Sequence, residues 1–382
     1  KWIIKEPDTD TVETLHKELG IEKIICQILA NRGIQTPKEA QRFLRAEVKD
    51  LYDPFALKDM DKAVERIQRA ITKKENILIF SDYDVDGVTS CAILEKELTR
   101  LGGRVTHHIP HRIKEGYGLS MNAVNVARKE KISLLIALDC GIKSFKEVKA
   151  LRSHNVDTII VDHHQPEDDN SLPDAYAIIN PKRRDCQYKF RDLAAVGLVF
   201  KLVCALDQES GERYLDLACL GTIADVMPLV DENRIIVKKG LESINKKSNV
   251  GIRALIEASG LKDREVNPGR VSFILAPRIN ASGRVDSAET SLDLLLATED
   301  AIAQELADHL NSHNRSRQKI EDEVLKEALN LVERDINFNE HYAIILSKEG
   351  WHVGVLGIVA AKIADKFLRP TIIISTNDGV GK

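Results

Sequence analysis

The chain has 382 residues, 43% hydrophobic and 30% charged, with a formal net charge of −4. That length is enough for two or more domains with a sizeable core. No run of about 18 apolar residues is present to span a bilayer, and the slight acidity does not mark a general nucleic-acid binder. Six cysteines lie dispersed without a Cys-x-x-Cys pair, a pattern expected of buried free thiols in a reducing cytoplasm and contrary to a zinc site. The apolar stretch in 1–7 is too short to read as a secretory signal.

In chain order, 11–71 is predicted to form short helices. Thr36-Pro37-Lys38-Glu39 is a capped start, with threonine at the cap, proline at the first helical position and glutamate three residues on. Then come apolar runs of strand length at 76–80, 134–138 and 158–161, with further strand candidates at 103–109 and 175–179. They alternate with helical patterns at 88–101, 120–130 and 144–154. The alternation predicts a doubly wound parallel α/β domain. From 193 the chain turns helical (193–206, 213–224).

The stretch 300–335 has almost no breaker and predicts one helix, on the order of 50 Å long. It has an apolar stripe at each end and a polar, basic waist over 311–318, which suits a connector facing a groove. Strands at 342–346 and 371–375 around a helix at 355–367 begin a second α/β domain. The expected organisation is an N-terminal helical segment (1–70), a catalytic α/β domain (71–230), a helical extension (231–299), the connector (300–336) and an incomplete substrate-binding domain (337–382).

Three strands end in acid or imidazole: Asp82-Tyr83-Asp84-Val85-Asp86-Gly87, then Asp139, then Asp162-His163-His164. A lone aspartate after a strand commonly caps the next helix. Three such clusters on one sheet are another matter, because ligands bind beyond the carboxyl ends of strands in open α/β sheets. Carboxylates about 4 Å apart repel by roughly 4 kcal/mol per pair at an effective dielectric near 20. Protons or divalent cations must relieve that, and aspartates with one or two histidines suit Mn²⁺ or Mg²⁺. Asp225 lies at the C-terminal end of an apolar helix, a poor place for an acid; it reads either as a turn residue or as a further ligand. Local basic runs occur at Lys182-Arg183-Arg184, Lys189 and Arg191. Arg278, Arg284, Arg315 and Arg317 suit phosphate recognition through the planar guanidinium fork, with surface ion pairing as the alternative. Arg112 and Tyr117 follow the second strand; Tyr117 could stack on a base or simply pack.

With these residues in view, the chain resembles the DHH phosphoesterase superfamily and, within it, the RecJ exonucleases specific for single-stranded DNA. The resemblance rests on six ordered blocks: 81–90, 137–141, 161–164, 221–229, 277–284 and 350–360. It implies that Asp84, Asp86, Asp139, His163 and Asp225 hold two divalent ions, Mn²⁺ or Mg²⁺, with Asp139 between them and Asp82 as an additional ligand. His164 would touch the scissile phosphate; Arg278 and His352 would bind DNA phosphates. For the second ring nitrogen of His163, Asp162 is the expected acceptor.

Such a site supplies what phosphodiester hydrolysis needs, namely water activation and relief of charge at the phosphate and the leaving oxygen. The implied activity is 5′ to 3′ degradation of single-stranded DNA in repair and recombination. A single-strand-binding protein or helicase is the implied partner, acting with a monomer away from membranes. Rival readings are a phosphodiesterase for short oligonucleotides or cyclic dinucleotides, and an inactive replication scaffold. The chain departs from the family in stopping before the Gly/Ser/Arg-rich phosphate loop, as a truncated member would. Ala195, where a glycine is more usual, is expected to matter little.

Overall fold

The computed structural model describes all residues except 1–4, 113–114, 169–170, 248, 286 and 378–379. Helices α1 (Thr9–Leu19), α2 (Lys23–Asn31) and α3 (Pro37–Arg45) come first and share a small core of Val12, Leu15, Cys26, Leu29 and Ala40. The expected capping box on α3 is present: Thr36 Oγ1 accepts the Glu39 amide, and Glu39 accepts the Thr36 amide.

Helix α4 (Met60–Lys73) leads into a doubly wound unit of β1 (Asn76–Ser81), α5 (Val85–Arg100), β2 (Arg104–His108), α6 (Met121–Lys129), β3 (Leu134–Leu138), α7 (Phe145–Ser153), β4 (Asp157–Val161) and β5 (Ala177–Ile179). The sheet is wholly parallel, in the order β2-β1-β3-β4-β5. Alternation along each strand sends Ile77, Ile79, Leu134, Ile136 and Leu138 into the larger core. Leu78, Phe80, Leu135 and Ala137 face a second core under α6 and α7. Burial on both faces explains why these strands read as unbroken apolar runs.

Behind the larger core stand α8 (Ala195–Leu206), α9 (Leu215–Ala224), α10 (Asp231–Lys246), α11 (Val250–Ala258), α12 (Pro268–Arg270), α13 (Ala276–Val285) and α14 (Glu289–Leu296). A π-helical turn, Val271–Leu275, joins α12 to α13. The connector α15 runs unbroken over Asp300–Asp335, roughly 54 Å at 1.5 Å per residue. Its first half buries Ala303, Ala307 and Leu310 in the main core. Its second half buries Val324, Ala328 and Val332 against a smaller sheet. That sheet holds β6 (Ile344–Glu349), β7 (Thr371–Asn377) and β8 (Val380–Gly381), with α16 (Leu356–Phe367) packed on it.

The six cysteines are free, five of them buried and Cys204 partly so. Among the described residues no helix is long and apolar enough to cross a membrane.

Candidate metal centre

In the order β2-β1-β3-β4 the connections leaving β1 and β3 go to opposite sides, so a crevice opens beyond the carboxyl ends of these two strands. The acids gather there. Helix α5 starts at Val85, three residues earlier than the apolar pattern suggested, because Asp84 caps it by accepting the Gly87 amide at 3.0 Å. The short turn from β1 to α5 leaves no room for a side chain at Gly87, whose added Cβ would stand 2.3 Å from the Asp82 carbonyl oxygen. Asp139 leaves β3 with φ of 59°, in the left-handed region that aspartate tolerates better than most residues. Asp225 ends α9 and faces the same crevice.

Donor atoms of Asp82, Asp84 and Asp139 lie within 4.8 Å of one another, as do those of Asp86, His163 and Asp225, and those of Asp139, His163 and His164. His163 Nε2 stands 3.3 Å from Asp139 Oδ1, 3.6 Å from Asp225 and 3.8 Å from Asp86. Asp86 is held by the amides of Ala195 and Val196, both at 2.8 Å, at the start of α8. At residue 195 it is the main-chain N–H that serves.

The electrostatics show an unmet demand for positive charge. Burial, then the neighbouring Asp84, pushes Asp82 up to about 7. Burial and Asp84 likewise push Asp225 up to about 6. Asp86 and Asp139 are raised well above the usual carboxylate range, first by burial and then by each other's neighbourhood of acids. Among the described residues, Oδ1 of Asp82 and Oδ1 of Asp139 are buried without a hydrogen-bond partner. Lone pairs left unpaired in a pocket of carboxylates and one imidazole are what a hard divalent cation takes up. The residues fit such ions.

The two histidines diverge. Burial, then the charge of His164, lowers His163 to about 4, so it is neutral and able to donate a lone pair. His164 is raised by its hydrogen bond to Asp162, 2.7 Å from Nδ1. This corrects the expectation that Asp162 serves His163. Asp162 accepts from the ring and the amide of His164 and from the Ile142 amide, so it is fully engaged without His163. Tyr117 is half exposed and donates to the Asp139 carbonyl at 3.2 Å; its ring meets that of His164 edge-on at 5.8 Å.

The arginines divide into groups. Arg112 lies over the Tyr83 ring at 5.1 Å and close enough to Asp82 to oppose its rise. Arg284 donates to the Gly354 carbonyl at 3.0 Å, bringing the turn that carries His352 against α13. Burial lowers the Arg284 pKa, and the charges of Arg112 and Arg317 lower it further. Arg317 is tied along its own helix to Glu321 at 2.5 Å and Asn314 at 3.2 Å. Arg278 bonds Asn311 and the Ile274 carbonyl, next to Arg315. His352 Nδ1 accepts the Gly354 amide at 3.1 Å.

Two contributors escaped the sequence reading. Asn280, inside the 277–284 block, accepts the Val85 amide at 3.1 Å and so fixes the first turn of α5. Lys182 is near enough for its charge to act on His163, His164 and Asp225; its place in a basic run was the one available signal.

A parallel sheet with acids and histidines gathered at its switch point is a site fitted to divalent metal ions. Residues 76–222 match the family model described as DHH family, N-terminal domain. Over 381 residues the chain is 41% identical to the single-stranded-DNA-specific exonuclease RecJ of Bacillus subtilis, covering all of this chain and 48% of that protein. It is 34% identical to RecJ of Salmonella typhimurium, covering 97% and 67%. The crystal structure of Thermus thermophilus RecJ in complex with Mn²⁺ superposes with a TM-score of 0.83 at 32% identity, over 97% of this chain and 53% of that one. The chain belongs to the RecJ family, and it spans about half the length of the Bacillus relative.

Proposed function

We propose that this chain carries the catalytic centre of a metal-dependent exonuclease that removes nucleotides from single-stranded DNA in the 5′ to 3′ direction. The observation that supports this most directly is the pocket of buried, unpartnered carboxylate oxygens around a neutral His163. Asp82, Asp84 and Asp139 would hold one divalent cation, Mn²⁺ or Mg²⁺; Asp86, His163 and Asp225 would hold another, with Asp139 beside both. When bound, the cations supply Lewis acidity to the phosphate and a lowered pKa for the attacking water.

The protein's own groups do the rest. His164, kept toward the imidazolium form by Asp162, donates to a non-bridging oxygen of the scissile phosphate. Tyr117 restrains the His164 ring. The amides at the start of α8 hold Asp86 without a competing cation. Arg112 and Arg284 lie between Asp82 and α15 without a full complement of acids, and they take phosphates of the strand, with Arg278, Arg315 and His352 along the same side, while Arg317, paired with Glu321, braces α15 beside them. The enzyme works as a monomer in the cytoplasm, supplied with substrate by a single-strand-binding protein or a helicase.

The test uses long single strands labelled at the 5′ or the 3′ end, incubated with Mn²⁺. Early release of 5′-labelled mononucleotide, with the 3′ label shortening stepwise, is expected. Hydrolysis confined to dinucleotides would sink the assignment.

A further inference from the structure

A pocket rich in arginine lies apart from the metal centre, where the N-terminal helices meet α10. It has a volume of about 490 Å³ and is lined by Arg32, Phe43, Tyr52, Phe190, Val230 and Arg234, among others. Arg234 lies over the Phe43 ring at 3.6 Å and Arg32 approaches the same ring at 5.8 Å. Burial and the charge of Arg32 lower the Arg234 pKa.

The acids in the pocket are already engaged. Asp231 accepts from Arg42 and the Tyr52 hydroxyl, both at 2.9 Å, and Glu39 accepts the Gln35 and Thr36 amides. Among the described residues neither Arg32 nor Arg234 has a carboxylate within ion-pair distance; the only side-chain hydrogen bond of the two is from Arg234 Nε to the Phe43 carbonyl, at 2.5 Å. Two neighbouring guanidinium groups thus share a cavity walled by Phe43, Tyr52 and Phe190 as well as by Glu39 and Asp231, and neither is in ion-pair contact with those acids.

The pocket is also close to the proposed cleavage site. Val230, on its wall, follows Asp225 by five residues, so at most about 18 Å of chain separates them. The segment from Lys182, beside the histidines, reaches the same pocket at Phe190, and on the way Lys189 lies 5.6 Å from the Tyr52 ring. Lys182 and Lys189 thus lie on the one segment that joins the histidines to this pocket.

We propose that this pocket is a subsite for the single strand away from the cleavage point, with Arg32 and Arg234 binding backbone phosphates and the Phe43–Tyr52 wall receiving a base. Guanidinium groups matched to phosphate oxygens, beside apolar ring faces, are the features of sequence-tolerant strand binding. The inference rests on the single-strand reading above and adds a site to it. It gives the N-terminal segment a role in holding substrate.

The test is binding of a fluorescent oligothymidylate to the full 382-residue chain in Ca²⁺, followed by anisotropy over a range of salt concentrations. Arg32→Gln with Arg234→Gln should weaken binding about tenfold and reduce the salt slope by about 1.4, the release expected for two phosphate contacts on a single strand. Because Arg234 also holds α3, Arg32→Gln alone is the second variant. It should reduce the slope by about 0.7 with an unchanged melting temperature. Lys129→Gln with Lys149→Gln, on exposed positions of α6 and α7, controls for charge alone and should shift the slope little. Slopes and affinities equal to wild type in both arginine variants overturn the subsite, including the case where the pocket takes an acidic peptide instead. A wild-type chain that binds no single strand overturns the functional reading and this site together.

Discussion

Asp82 offers a direct measure of the charge stored in the metal centre. Its carboxyl is buried and pushed up to about 7 from an ordinary 3.8, by burial first and Asp84 second. A carboxyl raised in the folded state stabilises the fold below its unfolded value, and that stability is lost as pH rises through the folded value. For Asp82 alone, the loss between pH 5 and pH 7 comes to about 2 kcal/mol. In a chain of this size that corresponds to about 3 °C of melting temperature, if the chain melts as one unit.

Other groups of the pocket titrate over the same range, some in the opposite sense, since His163 is lowered to about 4. The useful quantity is therefore the difference between Asp82→Asn and wild type, both melted in chelator. The variant should gain about 3 °C on the wild type between pH 5 and pH 7. In excess Mn²⁺ the order should reverse, because wild type gains binding energy that the variant partly lacks. A difference that stays flat with pH in chelator would falsify the account of a pocket held open for cations.

Asp139→Asn should abolish Mn²⁺-dependent hydrolysis while leaving the metal-free melt unchanged or higher; near wild-type turnover would remove Asp139 from its shared position. Gly87→Ala should cost roughly 2 kcal/mol or more and weaken Mn²⁺ uptake measured by calorimetry, since its Cβ meets main chain that cannot give way. His107 lies between Glu95 at 2.7 Å and Glu289 at 3.0 Å, and hydrogen bonds to these two acids push it up to about 10. Its stabilisation is fully present below about pH 6.5 and lost toward pH 10, so His107→Gln should lower the melting temperature most at pH 6 and least near pH 10. An equal loss at both would reject that pairing.

The sheet and the connector were legible because their signals are local. Strands buried on both faces must be apolar throughout, so the acids that end them stand out, and a helix without breakers announces its own length. What remained hidden depends on partners far away in the chain. Asp86 is fixed by amides more than a hundred residues later, and nothing near Asp86 signals them. The exchange of Asp162 from His163 to His164 turns on ring orientation, which spacing does not encode. Arg317 reads as a free cation until Glu321, one helical turn on, is seen to hold it. The pocket around Phe43 joins residues about two hundred positions apart, and none of them belongs to a recognisable block.

Because α15 is continuous, the two cores it enters share a single lever. A bend of about 10° at its polar waist would carry a point 25 Å away by roughly 4 Å, more than the span of a hydrogen bond. The bond from Arg284 to Gly354 ties α13 to the turn ahead of α16, a second link between the two cores. A tilt of the smaller sheet about that waist would load this contact, next to Gly283, which packs closely on the Tyr83 carbonyl beside Asp82.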